Sequence, residues 1–188
     1  YLYSSYGFNL AGAVVERIAQ IPFDQFVRDR ILAPCGMQSM QPDNVYRIIP
    51  HRVRGYRKRA NGTVENCALA DTSNKIPGGG WVSSASDLVR FASVLMEGRI
   101  LKQETLKQMW TPQKLQSGKS TGYGMGWSVD QTGSRLVVSH GGGQQGTSTY
   151  LLLVPSKRIA IAVLSNLENS GVAAIAQQLL RVVEEPGL

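Results

Sequence analysis

The feature that most constrains how this chain folds is a change of hydrophobic period near residue 121. Before it, apolar residues recur every three or four positions. "YGFNLAGAVVERIAQ" sets Phe8, Ala11, Val14, Val15 and Ile18 on one helical face; Ile21-Pro22 interrupts, and "FDQFVRDRIL" restarts the pattern until "APCGM" stops it. "WVSSASDLVRFASVLMEG" carries a fuller helix signature. Ser84 and Asp87 spell a capping box, Leu88, Phe91, Ala92 and Leu95 form a stripe, and Gly98 supplies the stop. A short helix over "KQETLKQMW" ends before Pro112. Beyond that the period is two. "YGMGWSVD" and "RLVVSH" predict antiparallel strands about a turn at Gln131–Ser134, and "STYLLLVP" and "IAIAVLSN" a hairpin about Pro155–Arg158. "GVAAIAQQLLRVVEE" then predicts a closing helix with Val172, Ile175, Leu179 and Val182 or Val183 inward. Helices followed by an antiparallel sheet with a packed helix is an α+β order.

At 188 residues and 43% apolar content the chain is one domain's worth, able to build a core. No apolar run approaches the roughly 20 residues of a membrane span. Residues 38–80 lack periodicity and end in Gly78-Gly79-Gly80, a long and partly irregular excursion. Much of the +7 net charge lies there, at Arg47, Arg52, Arg54, Arg57, Lys58 and Arg59. A phosphate-binding patch is one reading. No nucleic-acid motif surrounds the cluster and stacking aromatics are sparse, so a solvated excursion is favoured and no nucleic-acid partner is expected. Cys35 and Cys67, with two scattered histidines, give no zinc spacing, and no metal or other cofactor is implied; the cysteines are either free thiols or one disulfide. The chain opens at Tyr1 without a secretory leader and reads as a piece of something longer.

The stretch "SHGGGQQG", Ser139–Gly146, sets one of only two histidines against bare backbone. Its glycines spell G-x-G-x-x-G, but a dinucleotide site needs a helix N-terminus after them, and "TSTYLLLVP" follows as a strand. Gly118-Lys119-Ser120 fails as a phosphate loop because Gln113 stands where its first glycine belongs. An α/β-hydrolase loop of His-Gly-Gly-Gly type calls for a parallel sheet, and this region reads as hairpins. A third reading is a strand lining an active site: glycines leave room for a substrate alongside the strand and expose backbone N–H groups to an oxyanion. A bulge between two core strands, with His140 merely satisfied by a carbonyl, fits these residues equally well.

Three stretches in order tip that balance. "YSSYGFNLAGAVVERIAQIPFDQFVRDRILAPCGM", "DTSNKIPGGGWVSSASDLVRF", and "GYGMGW" with "SHGGGQQGTSTYLLLVP" and "IAIAVLSN" together resemble the C-terminal part of the serine β-lactamase-like and penicillin-binding protein family, which includes class C β-lactamases, DD-peptidases and esterases. The likeness is greatest to its mitochondrial branch and that branch's bacterial relatives. The resemblance implies the C-terminal portion of a β-lactamase/transpeptidase-like fold over 1–188, with a mostly helical region over 1–121 and strands plus a C-terminal helix over 122–188. It places Tyr3 at the family's catalytic tyrosine, Ser5 where many members carry Asn, and His140-Gly141-Gly142 at its third motif, with Gly143 as the second oxyanion donor. Ser5 in place of Asn weakens a β-lactam reading more than a hydrolase reading. The compartment stays open, periplasmic or extracellular for a bacterial member and mitochondrial for the eukaryotic branch.

The family's nucleophile, the serine of Ser-x-x-Lys, is not in these residues. Thr72-Ser73-Asn74-Lys75 has the spacing with Thr first, but it follows Tyr3 where the family's motif precedes it. Without an attacking hydroxyl no acyl-enzyme forms. The expectation is part of a serine hydrolase cleaving amide or ester bonds, inactive alone, with a small-molecule or peptide substrate. The missing N-terminal segment would be a partner if it is a separate chain, and an open sheet edge makes self-association a further expectation. The alternative is a non-catalytic binding or assembly module on the same fold.

Overall fold

The computed structural model describes residues 1–185. Its helical half opens with α1 (Ser5–Ala19), capped by Ser4, whose hydroxyl accepts from Gly7 N, and closed by Gln20 at φ 57°. Next come α2 (Phe23–Val27), a π-helical turn over Arg28–Leu32, and α3 (Ala33–Cys35), ended by Gly36 at φ 66°. The excursion is ordered by short pairings. Strand β1 (Gln41–Pro42) pairs with β4 (Trp81–Val82), and β2 (Tyr56–Lys58) with β3 (Val64–Asn66). A 3-10 segment over Ser73–Gly78 lies on α1, near enough that a Cβ on Gly12 would meet the Pro77 ring at 2.2 Å. Helices α4 (Ala85–Met96) and α5 (Gln103–Met109) complete this half.

The second half is a four-stranded antiparallel sheet in the order β5 (Ser128–Thr132), β6 (Arg135–Gln144), β7 (Thr147–Val154) and β8 (Ile159–Ser165), followed by α6 (Val172–Glu184). Gly133, at φ 59°, takes the first central position of the β5–β6 turn, where a two-residue hairpin calls for positive φ. Period-two alternation sends Val138 and Leu153 into a core with Ala92, Leu95, Leu106, Trp110 and Trp127. Val137, Leu152, Val154 and Ile161 face the other way, against Ala176 and Leu180. The sheet is therefore covered on both sides, which is why β7 and β8 read as nearly continuous apolar runs.

Several sequence expectations are corrected. On α1 the half-buried positions are Phe8, Asn9, Val15 and Ala19, with Gly12 fully buried, while Ala11, Val14 and Ile18 are exposed, Ile18 by 78%. The helix packs through Gly12 because only that position admits Pro77, and this turns the side bearing Leu10, Val14 and Ile18 outward. On α6 the inward stripe is Val172, Ala176 and Leu180, and Ile175, Leu179, Val182 and Val183 face out. Ala176 lets the helix lie close to the sheet, and Arg135 and Lys157 anchor Glu184 on the same side. The capping box is half made. Ser84 Oγ accepts from Asp87 N at 3.3 Å, but the Asp87 carboxylate turns to Ser39 and Arg90. "YGMGW" is a tight turn rather than a strand, with Gly124 N donating to Trp127 O at 2.8 Å.

Both cysteines are free thiols. Burial, then the Glu168 carboxylate that accepts from its Sγ, pushes the Cys67 thiol up, which keeps it protonated and unreactive. Of the basic cluster, Arg52 donates twice to Asp43, at 2.6 and 2.8 Å, and Arg57 and Arg59 pair with Glu65. The excursion docks on the sheet where Gly55 meets Gly146. A Cβ on Gly146, which sits at φ 72°, would lie 2.5 Å from the Gly55 Cα. Gly146→Val is expected to cost about 1–3 kcal/mol in urea denaturation through backbone strain and this clash; an unchanged midpoint would show the two loops free to part.

Candidate active site

Tyr3 lies in the extended stretch that Ser4 turns into α1, and the helix start therefore sets where its ring points. The ring packs at 5.9 Å from Phe8, 5.8 Å from Tyr123 and 5.8 Å from His140, centroid to centroid. His140 shares a sheet face with Val138, the face turned toward the helical half, so alternation along β6 carries the imidazole to Tyr3. His140 is hydrogen-bonded at both nitrogens, Nε2 to the Tyr123 hydroxyl at 2.9 Å and Nδ1 to the Gly141 carbonyl at 2.7 Å. Tyr1 stacks at 5.6 Å on Tyr123. Burial, with Tyr3 and Tyr1 alongside, pushes the Tyr123 phenol up to about 12.

Beyond His140 the ribbon is open on one side. Strand β5 pairs with β6 only as far as Ser128↔Ser139, whereas β7 follows β6 to Gln144↔Thr147. Residues 140–144 therefore present an unpaired backbone edge, the ledge along which an extended substrate would lie. The glycines are exposed strand residues in the ladder, neither a bulge nor buried. Their reasons differ. A Cβ on Gly142 would meet the Thr149 hydroxyl at 2.5 Å, so cross-strand crowding accounts for that glycine, whereas one on Gly141 would rest on the Tyr150 ring at 3.4 Å, an ordinary contact. A Cβ on Gly143 would meet nothing within 4 Å. Packing within the chain leaves its missing side chain unexplained, as expected where space is kept for a ligand.

The glycine-rich segment ties the two walls together. Gly78 lies against the Ser5 carbonyl and its N–H donates to Asn9 Oδ1 at 2.8 Å, while a Cβ on Gly79 would face Gln144 Nε2 at 3.6 Å. Ser5 contributes this backbone contact; its hydroxyl makes no hydrogen bond to Tyr3 or His140 among the described residues. Thr72 is buried, donating to the Asp43 carbonyl at 3.3 Å under Gly80, which leaves it no path to attack a substrate. Gly118-Lys119-Ser120-Thr121-Gly122 spells G-x-S-x-G, a match that sequence reasoning passed over, but Ser120 bridges Lys114 in a loop and forms no strand-to-helix elbow. Tyr123 and Gln144 are the cleft residues that periodicity did not reveal. "GYGMGW" offered an aromatic ahead of a glycine turn, and nothing in its spacing pointed at His140.

A phenol, an imidazole and an open backbone edge can orient a carbonyl and move a proton. Comparison with known proteins gives this arrangement its context. The Beta-lactamase family profile matches residues 1–184. Penicillin-binding protein 4* of Bacillus subtilis is 28% identical over 98% of this chain and 43% of its own length. The human mitochondrial serine beta-lactamase-like protein LACTB is 27% identical over 95% of this chain and 40% of its own. A D-stereospecific amidohydrolase from Streptomyces superposes with a TM-score of 0.80 at 25% identity, over 97% of this chain and 54% of that one. The chain thus spans about two fifths of these curated relatives and about half of that solved structure.

Proposed function

The chain belongs to the Beta-lactamase family, and on that premise we propose that it supplies two walls of a serine-hydrolase site that cleaves an amide or ester bond through an acyl-enzyme. The observation that carries the reading is the approach of Tyr3 to His140, at 5.8 Å, beside the unpaired edge of residues 140–144. Tyr3 takes or relays the proton of the attacking hydroxyl. Because a phenol's ordinary pKa is about 10, it works only with a cationic neighbour that favours the phenolate, or by passing the proton to an amine. The Gly143 N–H donates to the developing oxyanion, Gly141 and Gly142 keep the ledge clear, and His140 forms the end wall that meets the substrate's polar group. Ser5 sits at the mouth of the cleft, and a peptide or small acyl compound is the substrate class. The attacking serine comes from outside these 188 residues.

The test compares the chain alone with a version extended at its N-terminus by a segment bearing Ser-x-x-Lys, each incubated with a fluorescent penicillin and a p-nitrophenyl ester. Label or turnover is expected only in the extended protein. Gly143→Val in that protein keeps the backbone N–H but puts an isopropyl group into the space left for a substrate, so it is expected to cut acylation by roughly 10²-fold through a misplaced acyl group, with little change in the unfolding midpoint, because a Cβ there meets nothing within 4 Å. Turnover by the isolated chain, or an extended protein silent with both probes, would defeat the proposal. A second reading, a non-catalytic assembly module, is favoured by one observation, the exposed row Leu10, Val14 and Ile18 on α1. Light scattering of the isolated chain distinguishes them: a stable oligomer that dissociates with Val14→Glu supports assembly through this row.

A further inference from the structure

We propose that Tyr123 is the positioning residue for His140: its hydroxyl donates to Nε2 while the Gly141 carbonyl accepts from Nδ1–H, clamping the imidazole as the neutral Nδ1–H tautomer. A carbonyl oxygen only accepts, so the 2.7 Å approach of Gly141 O requires the proton to be on Nδ1. A neutral ring then has a lone pair at Nε2, and among the described residues the group at hydrogen-bond distance from it is the Tyr123 hydroxyl, at 2.9 Å. Tyr123 can be relied on as a donor, since a phenol pushed up to about 12 keeps its proton throughout the neutral range. Its own place is secured by the Tyr1 and Tyr3 rings and by the adjoining turn, where a Cβ on Gly124 would strike the Met109 carbonyl at 2.1 Å. A ring held at both nitrogens cannot flip, and it faces Tyr3 at one fixed tilt, 50° between the planes.

The consequence for the site, which rests on the acyl-transfer reading only for the use made of the wall, concerns Nε2. With its lone pair occupied, neutral His140 does not compete with Tyr3 for the proton of an attacking hydroxyl. Two titratable side chains, Tyr3 and Tyr123, lie with their rings against it at 5.8 and 5.9 Å. Base chemistry is thereby left to Tyr3, and His140 acts as a shaped polar surface. Tyr123 acts through His140, the first residue of the open ledge, which its hydroxyl holds at Nε2.

The test is nitrogen-15 NMR of histidine side chains in the intact 188-residue chain, at about pH 8, above the ordinary histidine range. Two histidines make the assignment direct, and exposed His51 serves as the internal reference for an imidazole averaging between tautomers. His140 is expected to show a protonated Nδ1 and an unprotonated Nε2. In Tyr123→Phe its two shifts should converge toward those of His51, a fall in tautomer ratio of roughly 5-fold, the worth of one ordinary hydrogen bond. A merely structural role for Tyr123 would leave the ratio where it was. Nε2–H in the wild type, or the same ratio in both proteins, overturns the proposal. The wild-type spectrum alone decides the matter if the variant fails to fold. Because the measurement needs no turnover, a silent acylation assay would remove the hydrolase reading and leave this result intact.

Discussion

Tyr3→Phe, in a protein long enough to carry the nucleophile, is expected to slow acylation by about 10²–10⁴-fold, the range for losing a positioned general base. That corresponds to about 3–5 kcal/mol of barrier. Stability should hardly move. Tyr3 is 43% exposed, its hydroxyl has no hydrogen-bond partner among the described residues, and phenylalanine keeps the packing with Phe8, Tyr123 and His140. Single-turnover acylation by a p-nitrophenyl ester, alongside a thermal melt, separates the two effects. A rate within a few-fold of wild type would make Tyr3 an aromatic brace for the histidine wall and transfer the base role elsewhere.

The largest stability effect is expected at Asp87, which is 1% exposed and ties α4 to the loop after α3. Its Oδ2 accepts from Ser39 N and Ser39 Oγ, both at 2.7 Å, and its Oδ1 from Arg90 at 2.9 Å. Asp87→Ala strands the Ser39 N–H and removes a charge-assisted network, at a cost of about 2–4 kcal/mol. This is a large part of the 5–15 kcal/mol or so that holds a domain together. The pH dependence has a definite sign. Burial works to raise this carboxyl, but the bonds from Ser39 and Arg90 outweigh it and hold the folded-state pKa below the ordinary aspartate value. The network's stabilisation is therefore complete above the unfolded pKa of about 3.9 and is lost as pH falls through the folded value. Urea denaturation at about pH 7 and about pH 3 should show the wild type losing more stability than Asp87→Asn on acidification. Parallel losses would assign the acid sensitivity to other carboxylates.

How much of this was legible beforehand depended on the kind of information each residue carries. The helices over 5–19, 85–96 and 172–184 and the hairpin of 147–165 followed from period and punctuation, because Ser84, Gly98 and Pro155 act on the backbone locally. Which side of α1 and α6 faces inward did not. Both helices carry more apolar surface than the chain covers, and the buried stripe is selected by Gly12 against Pro77 and by Ala176 against the sheet, contacts between residues far apart in sequence. The site divided the same way. Tyr3, His140 and the glycines were candidates named from their order along the chain, whereas Tyr123 is a partner that only folding brings to Nε2.

From local pattern alone came the α+β order and the lack of a Ser-x-x-Lys among these residues, while the glycine ribbon stayed open between strand and bulge until the family resemblance favoured a strand. What needed tertiary structure was the early truncation of β5 that bares one edge of the ribbon, and the gathering of two tyrosine rings around an imidazole. The physical reason is range. Torsional preference and hydrophobic period act within a few residues, while an open strand edge or a tautomer is decided by whichever distant group arrives, or fails to arrive, at hydrogen-bond distance.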